Sequence, residues 1–380
     1  MSRGVAVVGG GQLARMMQAA AIGLGVQLHA LVEAPDGSAA QVIPRAPVGG
    51  ADDEAAIREL LPATEVLTFE HEHVPSAILQ RLEAEGVAVR PGSFALRHAQ
   101  DKIVMRRQLT ELGVPCPPWA AVETDADLAA FGDATGWPVV VKTARGGYDG
   151  KGVRVVSSAA EAADWLGRLA PGEALLAEAR VPFVRELAVL LARRPSGEIR
   201  AWPVAQTVQR DGVCAEVYAP APGLKDALAA QAQAIGERIA TGLDVTGVLA
   251  VELFEVAGTG GGELFVNELA MRPHNSGHWT IDGAATSQFE QHLRAVLDLP
   301  LGPTDPLAAH AVMVNLLGSN REDPTQALDA VFAQHPEARV HLYGKSVRSG
   351  RKLGHVTVTG ADAGAAREAA AGAVAILHGE

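Results

Sequence analysis

Two lysines and a run of glycines form the clearest candidate phosphate site in the sequence. Lys142 ends an apolar run, and residues 146–152 (GGYDGKG) follow it with four glycines and a second lysine. Glycines let backbone N–H groups bend around phosphate oxygens, and the lysines supply positive charge in a chain whose net charge is −12. No Gly-Lys-Ser or Gly-Lys-Thr opens a helix here, so a Walker A loop is excluded. The segment predicts a phosphate-covering loop; the alternative, a flexible hairpin, leaves the tyrosine and both lysines without a role.

Carboxylates near the ends of two predicted strands are candidate ligands for Mg²⁺. Glu252 lies near the end of one apolar run, and Glu268 follows Asn267 at the end of the next. Mg²⁺ takes a few hard oxygen ligands from a protein and completes its shell with phosphate and water. The two carboxylates are therefore predicted to bridge Mg²⁺ to the phosphates of ATP.

The polar loop, residues 272–279 (RPHNSGHW), follows directly. It combines an arginine, two histidines, an asparagine and a tryptophan around one glycine. A surface loop does not require so many functional side chains in so short a stretch. His274 and His278 have the i, i+4 spacing of a helical zinc site. The residues between them, 275–277, disfavour a helix, and no third ligand is evident. We therefore interpret the polar loop as part of a reaction site and not as a zinc site.

A second glycine motif lies near the start of the chain. Residues 9–14 (GGGQLA) match G-x-G-x-x-A between a predicted strand and a predicted helix, and Glu33 ends the next strand. This is the pattern of a dinucleotide-binding turn, in which a pyrophosphate meets the helix N-terminus. The same turn also packs the first βα unit of folds that bind no dinucleotide. The motif alone leaves both interpretations open.

Composition limits the class of protein. A chain of 380 residues suggests two or three domains around a shared cleft. It is 48% hydrophobic, yet no apolar stretch reaches the roughly 18 residues of a membrane span, and no signal peptide is recognisable, so we expect a cytoplasmic protein with no membrane partner. Cys116 and Cys214 are too few for a disulfide framework and are expected to be reduced thiols. The acidic charge argues against nucleic-acid binding.

The elements that must position these residues follow from hydrophobic periodicity. Strands are predicted at residues 5–8, 26–32, 66–69, 87–89, 139–141, 153–156, 187–191, 248–254 and 264–266. A helix at 12–24 gives the first hundred residues the βαβ rhythm of a parallel sheet. One further helix is predicted over about 93–112, closed by Gly113, and an alanine-rich helix ends the chain. The predicted domains are residues 1–100, 101–178, 179–310 and 311–380.

The order of these motifs resembles the ATP-grasp superfamily over nearly the whole chain and, within it, the 5-(carboxyamino)imidazole ribonucleotide synthase family. The residues that carry the resemblance are 9–13, 100–102, 146–152, 267–270, 272, 274–279 and 350–355. The resemblance implies an α/β fold (α+β overall): an ATP-grasp fold with an N-terminal Rossmann-like domain, a small glycine-loop lid domain, a C-terminal ATP-grasp domain and a small terminal subdomain. In this superfamily the first glycine turn serves the acceptor substrate and needs no nicotinamide.

The resemblance also implies the site residues. ATP would be bound by Lys102, Lys142, Gly147, Gly150, Lys151, Gly152, Glu178, Ala179, Arg180, Val181, Glu186, Gln209, Asn267 and Glu268. Mg²⁺ would be bound by Glu252 and Glu268. The acceptor ribonucleotide would contact Tyr148, Asp149, Lys151, Lys345, Arg351 and Lys352, with Glu70 and Glu72 as further candidates. The catalytic set would be Arg272, His274, Asn275 and Lys142, the first three facing bicarbonate.

The implied activity is carboxylation of the exocyclic amine of 5-aminoimidazole ribonucleotide by ATP and bicarbonate through carboxyphosphate, in purine biosynthesis, by a homodimer. The alternatives are another ATP-grasp ligase, such as formate-dependent glycinamide ribonucleotide transformylase or a biotin carboxylase, a nicotinamide dehydrogenase, and a non-catalytic nucleotide-binding regulator. Residues 275–279 argue against the first two. The chain departs from the family pattern at Ala270, where many ATP-grasp enzymes carry asparagine, and at Met271, where proline is expected.

Overall fold

Three β-sheets organise the described part of the chain, which in this computed structural model comprises residues 3–147, 151–258 and 262–380. The first sheet has three strands, the second four and the third nine. Each sheet takes its strands from one contiguous stretch of sequence, as expected for successive domains. No helix within those ranges is both long and apolar enough to cross a membrane.

The first sheet is parallel, and helices connect its strands. The elements of this domain are β1 (Gly4–Val8), α1 (Gln12–Leu24), β2 (Gln27–Leu31), α2 (Glu54–Leu60), β3 (Val66–Phe69), α3 (Ser76–Ala84) and α4 (Ser93–Gln100). β1 lies between β2 and β3 and is buried throughout, as its continuous apolar run predicts. The predicted βαβ alternation is confirmed. The strand predicted at 87–89 is reduced to one bridge between Leu67 and Val89.

The prediction of one helix over residues 93–112 is wrong, because the chain breaks at Asp101 into α4 and α5 (Lys102–Glu111). Asp101 has φ −136° and ψ 112°, outside the helical region. Its carboxylate accepts hydrogen bonds from the backbone N–H groups of Ile103 and Val104, at 3.0 and 3.1 Å. Aspartate stabilises a helix N-terminus in this way. The cap makes Lys102 the first residue of a new helix.

The second sheet is antiparallel and forms the predicted small lid. Its elements are β4 (Trp119–Val122), α6 (Asp125–Thr135), β5 (Val139–Thr143), β6 (Val153–Val156), α7 (Ala163–Leu166) and β7 (Leu175–Ala179). The strand order is β4-β7-β5-β6. Val139 and Val141 point into the lid's own core with Leu128 of α6. The alternate residues of β5 therefore lie on the opposite face.

The third sheet extends to the end of the chain. Its strands are β8 (Phe183–Arg193), β9 (Ile199–Ala201), β10 (Ala205–Arg210), β11 (Val213–Ala219), β12 (Gly247–Val256), β13 (Glu263–Ala270), β14 (His310–Leu317), β15 (Arg339–Leu342) and β16 (Lys352–Gly360). The order is β13-β12-β8-β10-β11-β14-β16-β15, with β9 on β8. Because β14 pairs with β11, the sheet crosses the predicted domain limit at 310/311 without interruption.

Five helices flank this sheet. They are α8 (Asp226–Gly242), α9 (Thr280–Gly283), α10 (Gln288–Val296), α11 (Leu328–Gln334) and α12 (Ala363–His378). α10 joins the domains, since Phe289 and Leu293 pack in the same core as Val5 and Met17 of the first domain. α12 is the predicted terminal helix, and it covers β14 and β16 with a separate apolar core. The lid meets the large sheet where Lys142 of β5 donates a hydrogen bond to Asn267 of β13. We refer to the region between these two sheets as the cleft.

Candidate active site

The lid presents a charged and apolar face to the cleft. In register, Val140 of β5 pairs with Glu178 of β7 and Val155 of β6, while Lys142 pairs with Val153. Directly paired residues of neighbouring strands point to the same face of a sheet. Lys142 and Glu178 therefore share the face opposite the lid core, and the exposed Val153 and Val155 continue it as an apolar patch. Such a surface suits a nucleotide, with charge at the phosphates and apolar contact at the base.

The large sheet contributes carboxylates to the opposite wall. Glu252 of β12 pairs in register with Glu268 of β13, next to a β-bulge. Burial raises the pKa of Glu252 to about 8, and the nearby charges of Glu268 and Glu186 act in the same direction. Like charges close to Glu252 disfavour its ionised form. A cation between the two carboxylates would remove that repulsion.

Both predicted lysines meet this opposite wall. Lys142 Nζ lies 2.7 Å from Glu178 Oε2 and donates a hydrogen bond to Asn267 Oδ1 at 3.0 Å. Lys102 Nζ lies 3.2 Å from Glu268 Oε1. Three distant parts of the chain therefore converge: the start of α5, the end of β5 and the end of β13.

Arg106 belongs to this group, although its sequence context did not single it out. Its guanidinium is fully buried, with Nε 2.6 Å from Glu178 Oε1 and Nη2 donating to the Asn267 carbonyl oxygen at 2.6 Å. Burial acts to raise the pKa of Glu178, but Arg106 and Lys142 together hold it below its ordinary value. The only available signal was its spacing of one helical turn from Lys102. A surface arginine would have shown the same spacing.

The remaining predicted ATP residues lie around the same cleft. Burial raises the pKa of Glu186 on β8, and the Gln209 side chain hydrogen-bonds to it and opposes the shift. Ala179 ends β7, and Arg180 and Val181 follow it. Phe183, two residues later, stacks on Phe254 with ring centroids 4.6 Å apart. These residues form the edge of the cleft where the lid strands lead into the large sheet.

The glycine loop has the backbone shape that its sequence predicts. Gly147 and Gly152 have φ values of +75° and +73°, which side chains rarely adopt. A Cβ on Gly147 would lie 2.4 Å from the carbonyl oxygen of Lys151. Gly147 therefore lies close against Lys151 just before β6. The predicted contacts Tyr148, Asp149 and Gly150 lie outside the described residues.

The polar loop lies beside the carboxylates. His274 Nε2 is 3.4 Å from Glu252 Oε1, and Arg272 Nε is 2.9 Å from Glu72 Oε1. Burial, followed by the charges of Arg272 and Lys352, lowers the pKa of His274 to about 3. The imidazole is therefore neutral near pH 7 and can donate or accept a hydrogen bond without adding charge.

Glu70 shapes the first glycine turn. Its carboxylate accepts hydrogen bonds from the backbone N–H groups of Gly11 and of Ala14, the latter at 2.9 Å. A Cβ on Gly11 would lie 2.5 Å from Glu70 Oε1, so glycine permits this approach. The N-terminus of α1, where a dinucleotide would bring its pyrophosphate, thus already holds a carboxylate of the protein.

The basic segment, residues 345–352 (KSVRSGRK), reaches the same turn. Lys345 donates a hydrogen bond to Gln12 Oε1 at the start of α1. Lys352 lies near enough for its charge to lower the pKa values of both Glu252 and His274. Arg351 is turned to Ser346, donating to its carbonyl oxygen at 3.0 Å and its hydroxyl at 2.7 Å. The segment 345–352 therefore lies against the first glycine turn, with Lys352 also close to Glu252 and His274.

The described residues contain no group of three or more His, Cys, Asp or Glu side chains arranged to hold a metal ion. His274 and His278 instead hydrogen-bond with Ser276 and Gln288, each at 2.9 Å. The donor set that does exist is the Glu252–Glu268 pair. Two carboxylates fit Mg²⁺, whose remaining ligands come from phosphate and water.

Three family models match the chain in succession. They are the Ribonucleotide synthetase preATP-grasp domain over residues 2–100, the ATP-grasp domain over 107–289 and the Phosphoribosylaminoimidazole carboxylase C-terminal domain over 311–369. The N5-carboxyaminoimidazole ribonucleotide synthases of Mycobacterium tuberculosis and Corynebacterium ammoniagenes are 53% and 49% identical to it. Those alignments cover 94% and 96% of this chain and 84% and 89% of the relatives.

Solved structures give the same result over the whole length. The N5-carboxyaminoimidazole ribonucleotide synthetase from Thermus thermophilus has a TM-score of 0.87 and 38% identity, covering 99% of both chains. The N5-carboxyaminoimidazole synthase from Aspergillus clavatus, in complex with ADP and 5-aminoimidazole ribonucleotide, has a TM-score of 0.88 and 33% identity, covering 99% of this chain and 98% of that one. The predicted ATP-grasp fold is confirmed, and this chain belongs to the N5-carboxyaminoimidazole ribonucleotide synthase family of ATP-dependent ligases.

Proposed function

We propose that this chain uses ATP and bicarbonate to carboxylate the exocyclic amine of 5-aminoimidazole ribonucleotide in purine biosynthesis. Bicarbonate attacks the γ-phosphorus of ATP, ADP leaves, and carboxyphosphate forms. The exocyclic amine then attacks the activated carbon, inorganic phosphate leaves, and the nitrogen loses a proton. The relative from Aspergillus clavatus, crystallised with ADP and 5-aminoimidazole ribonucleotide, supports both substrates.

The observation that carries the proposal is the convergence of lysines, carboxylates and the polar loop. Lys102 and Lys142 reach Glu268 and Asn267, and His274 lies 3.4 Å from Glu252 on the same wall. An anion bound by the polar loop would therefore lie next to the phosphate-binding lysines. Phosphoryl transfer needs positioning and charge neutralisation more than covalent chemistry, and this is what the cleft provides.

Mg²⁺ fits the Glu252–Glu268 pair. Burial raises the pKa of Glu252 to about 8, and the charges of Glu268 and Glu186 act in the same direction. A divalent ion beside Glu252 would oppose these effects and favour its ionised form. When bound with ATP, it would supply neutralisation of charge on the phosphates. Asn267, between Lys142 and Glu252, has an amide that can stand in for the asparagine missing at Ala270.

The chain's own residues then have distinct parts. Lys102 and Lys142 bind ATP phosphates, and Arg106 holds Glu178 so that Lys142 stays in the cleft. Neutral His274 and cationic Arg272 orient bicarbonate. Lys345, Arg351 and Lys352 are assigned, in this proposal, to the phosphate of the ribonucleotide. The glycine loop excludes water, which carboxyphosphate requires because water destroys it.

The family also implies a homodimer in the cytoplasm, and both belong to the proposal. Sedimentation equilibrium tests the first at working concentrations, and fractionation of the source cells tests the second.

One assay tests the activity directly. ADP release is measured with bicarbonate, with and without 5-aminoimidazole ribonucleotide, and the carboxylated product is followed with ¹³C-bicarbonate. ADP release and labelled product that both require the ribonucleotide support the proposal. Product formation from formate and glycinamide ribonucleotide instead would favour the alternative ligase. A thermal shift with NAD and none with ATP would contradict both.

A further inference from the structure

Asn275 is hydrogen-bonded to a second asparagine, Asn315, which has no role in the proposed function. Asn275 Nδ2 donates a hydrogen bond to Asn315 Oδ1 at 3.1 Å, and Asn315 Nδ2 donates one to Asn275 Oδ1 at 2.8 Å. Asn315 lies on β14 and is 4% exposed, whereas Asn275 belongs to the polar loop. The two amides form a closed pair in which each donates once and accepts once.

A backbone carbonyl group determines the orientation of the two side-chain amides in this pair. Asn315 Nδ2 also donates to the carbonyl oxygen of Cys214 at 2.9 Å. A carbonyl only accepts, so the nitrogen of Asn315 must face Cys214, and its oxygen must accept from Asn275. The orientation of the Asn275 amide follows from that of Asn315. One N–H and one lone pair of Asn275 then have no partner among the described residues.

Asn315 is itself fixed by the sheet around it. It pairs in register with His355 on β16, which pairs with His341 on β15. His355 Nδ1 shares a hydrogen bond of 2.7 Å with the Tyr343 hydroxyl, and its ring stacks on His341 with centroids 4.6 Å apart. These cross-strand neighbours lie on one face of the sheet. Asn315 therefore ends a packed polar row and has little freedom to rotate.

We propose that Asn315 is a positioning residue for bicarbonate and acts through Asn275. The inference rests on the proposed function and on the role beside bicarbonate that the family resemblance implies for Asn275. The Cys214 carbonyl orients Asn315, and Asn315 orients Asn275, so that the remaining N–H of Asn275 is available to an anion oxygen. Without that partner the Asn275 amide can turn about its last torsion and present its own oxygen, which repels an anion.

The test varies each substrate in turn with the purified full-length chain. Asn315→Asp keeps the size of the side chain but removes both N–H groups, and Asn315→Ser removes the paired amide without adding a carboxylate. In each variant that melts cooperatively, the KM for bicarbonate should rise about tenfold or more, because a misdirected hydrogen bond to a charged group has an effect of about that size. The KM values for ATP and the ribonucleotide should stay within about twofold of wild type, since neither contacts this amide.

A double-substitution cycle separates positioning from general support of the fold. In the Asn275→Ala background, Asn315→Ser should cause no further rise in the KM for bicarbonate, because the residue through which it acts is gone. An undiminished rise in that background, or an equal rise for all three substrates, would overturn the inference.

Thr357→Val is the matched control. Thr357 is fully buried on β16, and its hydroxyl has no hydrogen-bond partner among the described residues. Removing that hydroxyl should leave all three KM values unchanged. A rise in the KM for bicarbonate like that of Asn315→Ser would also count against a positioning role for Asn315.

Wild-type chain assayed in parallel distinguishes failure of the proposed function from failure of this inference. An inactive wild type contradicts the proposed function, whereas an active wild type without an Asn315 effect contradicts only this inference.

Discussion

At the scale of single residues, the buried Glu178 and the partly exposed Glu252 differ in how their charge is balanced. Glu178 lies 2.6 Å from Arg106 and 2.7 Å from Lys142, and these cations hold its pKa below its ordinary value. Burial and the charges of two neighbouring carboxylates disfavour the ionised form of Glu252 and raise its pKa to about 8. Arg106 and Lys142 therefore already balance the negative charge of Glu178. We propose a structural role for Glu178 and a ligand-binding role for Glu252.

Lys142→Ala should lower turnover by about 10²–10³-fold while the fold persists, because one preorganised charge at a transferring phosphoryl group contributes about that much. Lys142 is suited to this part by its contact with Asn267 and its place before the glycine loop. Steady-state rates at saturating ATP test the expectation. Arg168→Ala is the control, since Arg168 is a well-exposed lid residue 3.8 Å from Asp164, and it should retain wild-type turnover. Near wild-type turnover of folded Lys142→Ala would remove it from the phosphate site.

Arg106→Met should destabilise the fold by about 3 kcal/mol, because it leaves a buried carboxylate short of one cation. Adding Glu178→Gln should recover much of that loss, since the uncompensated charge is then removed. Urea unfolding of the two variants and of Glu178→Gln alone makes the comparison. If the double variant is no more stable than Arg106→Met, the ion pair is not what Arg106 contributes to stability.

Residue types predicted part of this site and left part of it hidden. Lys142, Glu252 and Glu268 stood out because cations and acids at the ends of apolar strands have few structural uses. Arg106 lies within a helix and Asn315 within an apolar strand, where a single polar residue is usually solvent-exposed or locally satisfied. Their importance depends on contacts 72 and 40 residues away in sequence. No local pattern encodes such contacts.

At the scale of elements, strand register explains why the predicted residues meet. The apolar runs at 139–141 and 153–156 placed β5 and β6 correctly. The alternation of side chains along a strand then requires Lys142 to lie on the face opposite Val139 and Val141. Helix limits were less predictable. The Asp101 cap splits what periodicity alone extends as one helix, because apolar spacing continues through the break while the hydrogen bonding does not.

α10 offers a test of how the domains are joined. His292 on α10 is fully buried; its Nδ1 accepts a hydrogen bond from the Val248 N–H at 3.1 Å, so its Nε2–H donates to Thr68 Oγ1 at 2.9 Å. The neutral ring thus links the first domain to the large sheet. Burial lowers its pKa to about 3.

This depressed pKa predicts an acid-sensitive contribution to stability. Below the unfolded value of about 6.5 the unfolded chain takes up a proton that the native ring refuses until about pH 3. Stability present above pH 6.5 is therefore lost as the pH falls, by up to about 1.4 kcal/mol per pH unit for this group. His292→Gln should reduce that slope between about pH 6 and pH 5. Urea unfolding at pH 7.5, 6 and 5 measures it, and an unchanged slope would contradict the assignment.

At the scale of the whole molecule, hydrogen bonds join the first domain to the C-terminal part of the chain. Ser38 Oγ donates to the Tyr343 carbonyl oxygen at 2.6 Å, and Gln41 Nε2 donates to the Gly344 carbonyl oxygen at 2.7 Å. These contacts span about 300 residues of sequence. Motif order predicted that the first domain and the terminal subdomain both serve the acceptor, through the resemblance. It could not predict which backbone groups join them, since that depends on how the large sheet extends through β14 to β16.

The functional effect of this contact between the first domain and the terminal subdomain can be measured at Lys345. It follows Gly344 directly and donates to Gln12 at the first glycine turn, so its charge lies where the first domain meets the terminal subdomain. ATP is expected on the other side of Glu252, between the lid and the large sheet. Lys345→Ala should therefore raise the KM for 5-aminoimidazole ribonucleotide by about 10–100-fold, the effect of one lost charge-assisted contact, with little change in the KM for ATP. Lys225→Ala serves as the control, since Lys225 is an exposed lysine before α8, and it should change neither constant. Steady-state kinetics with each substrate varied decide the matter, because an equal rise in both KM values would mean that Lys345 supports the fold and does not bind the acceptor phosphate.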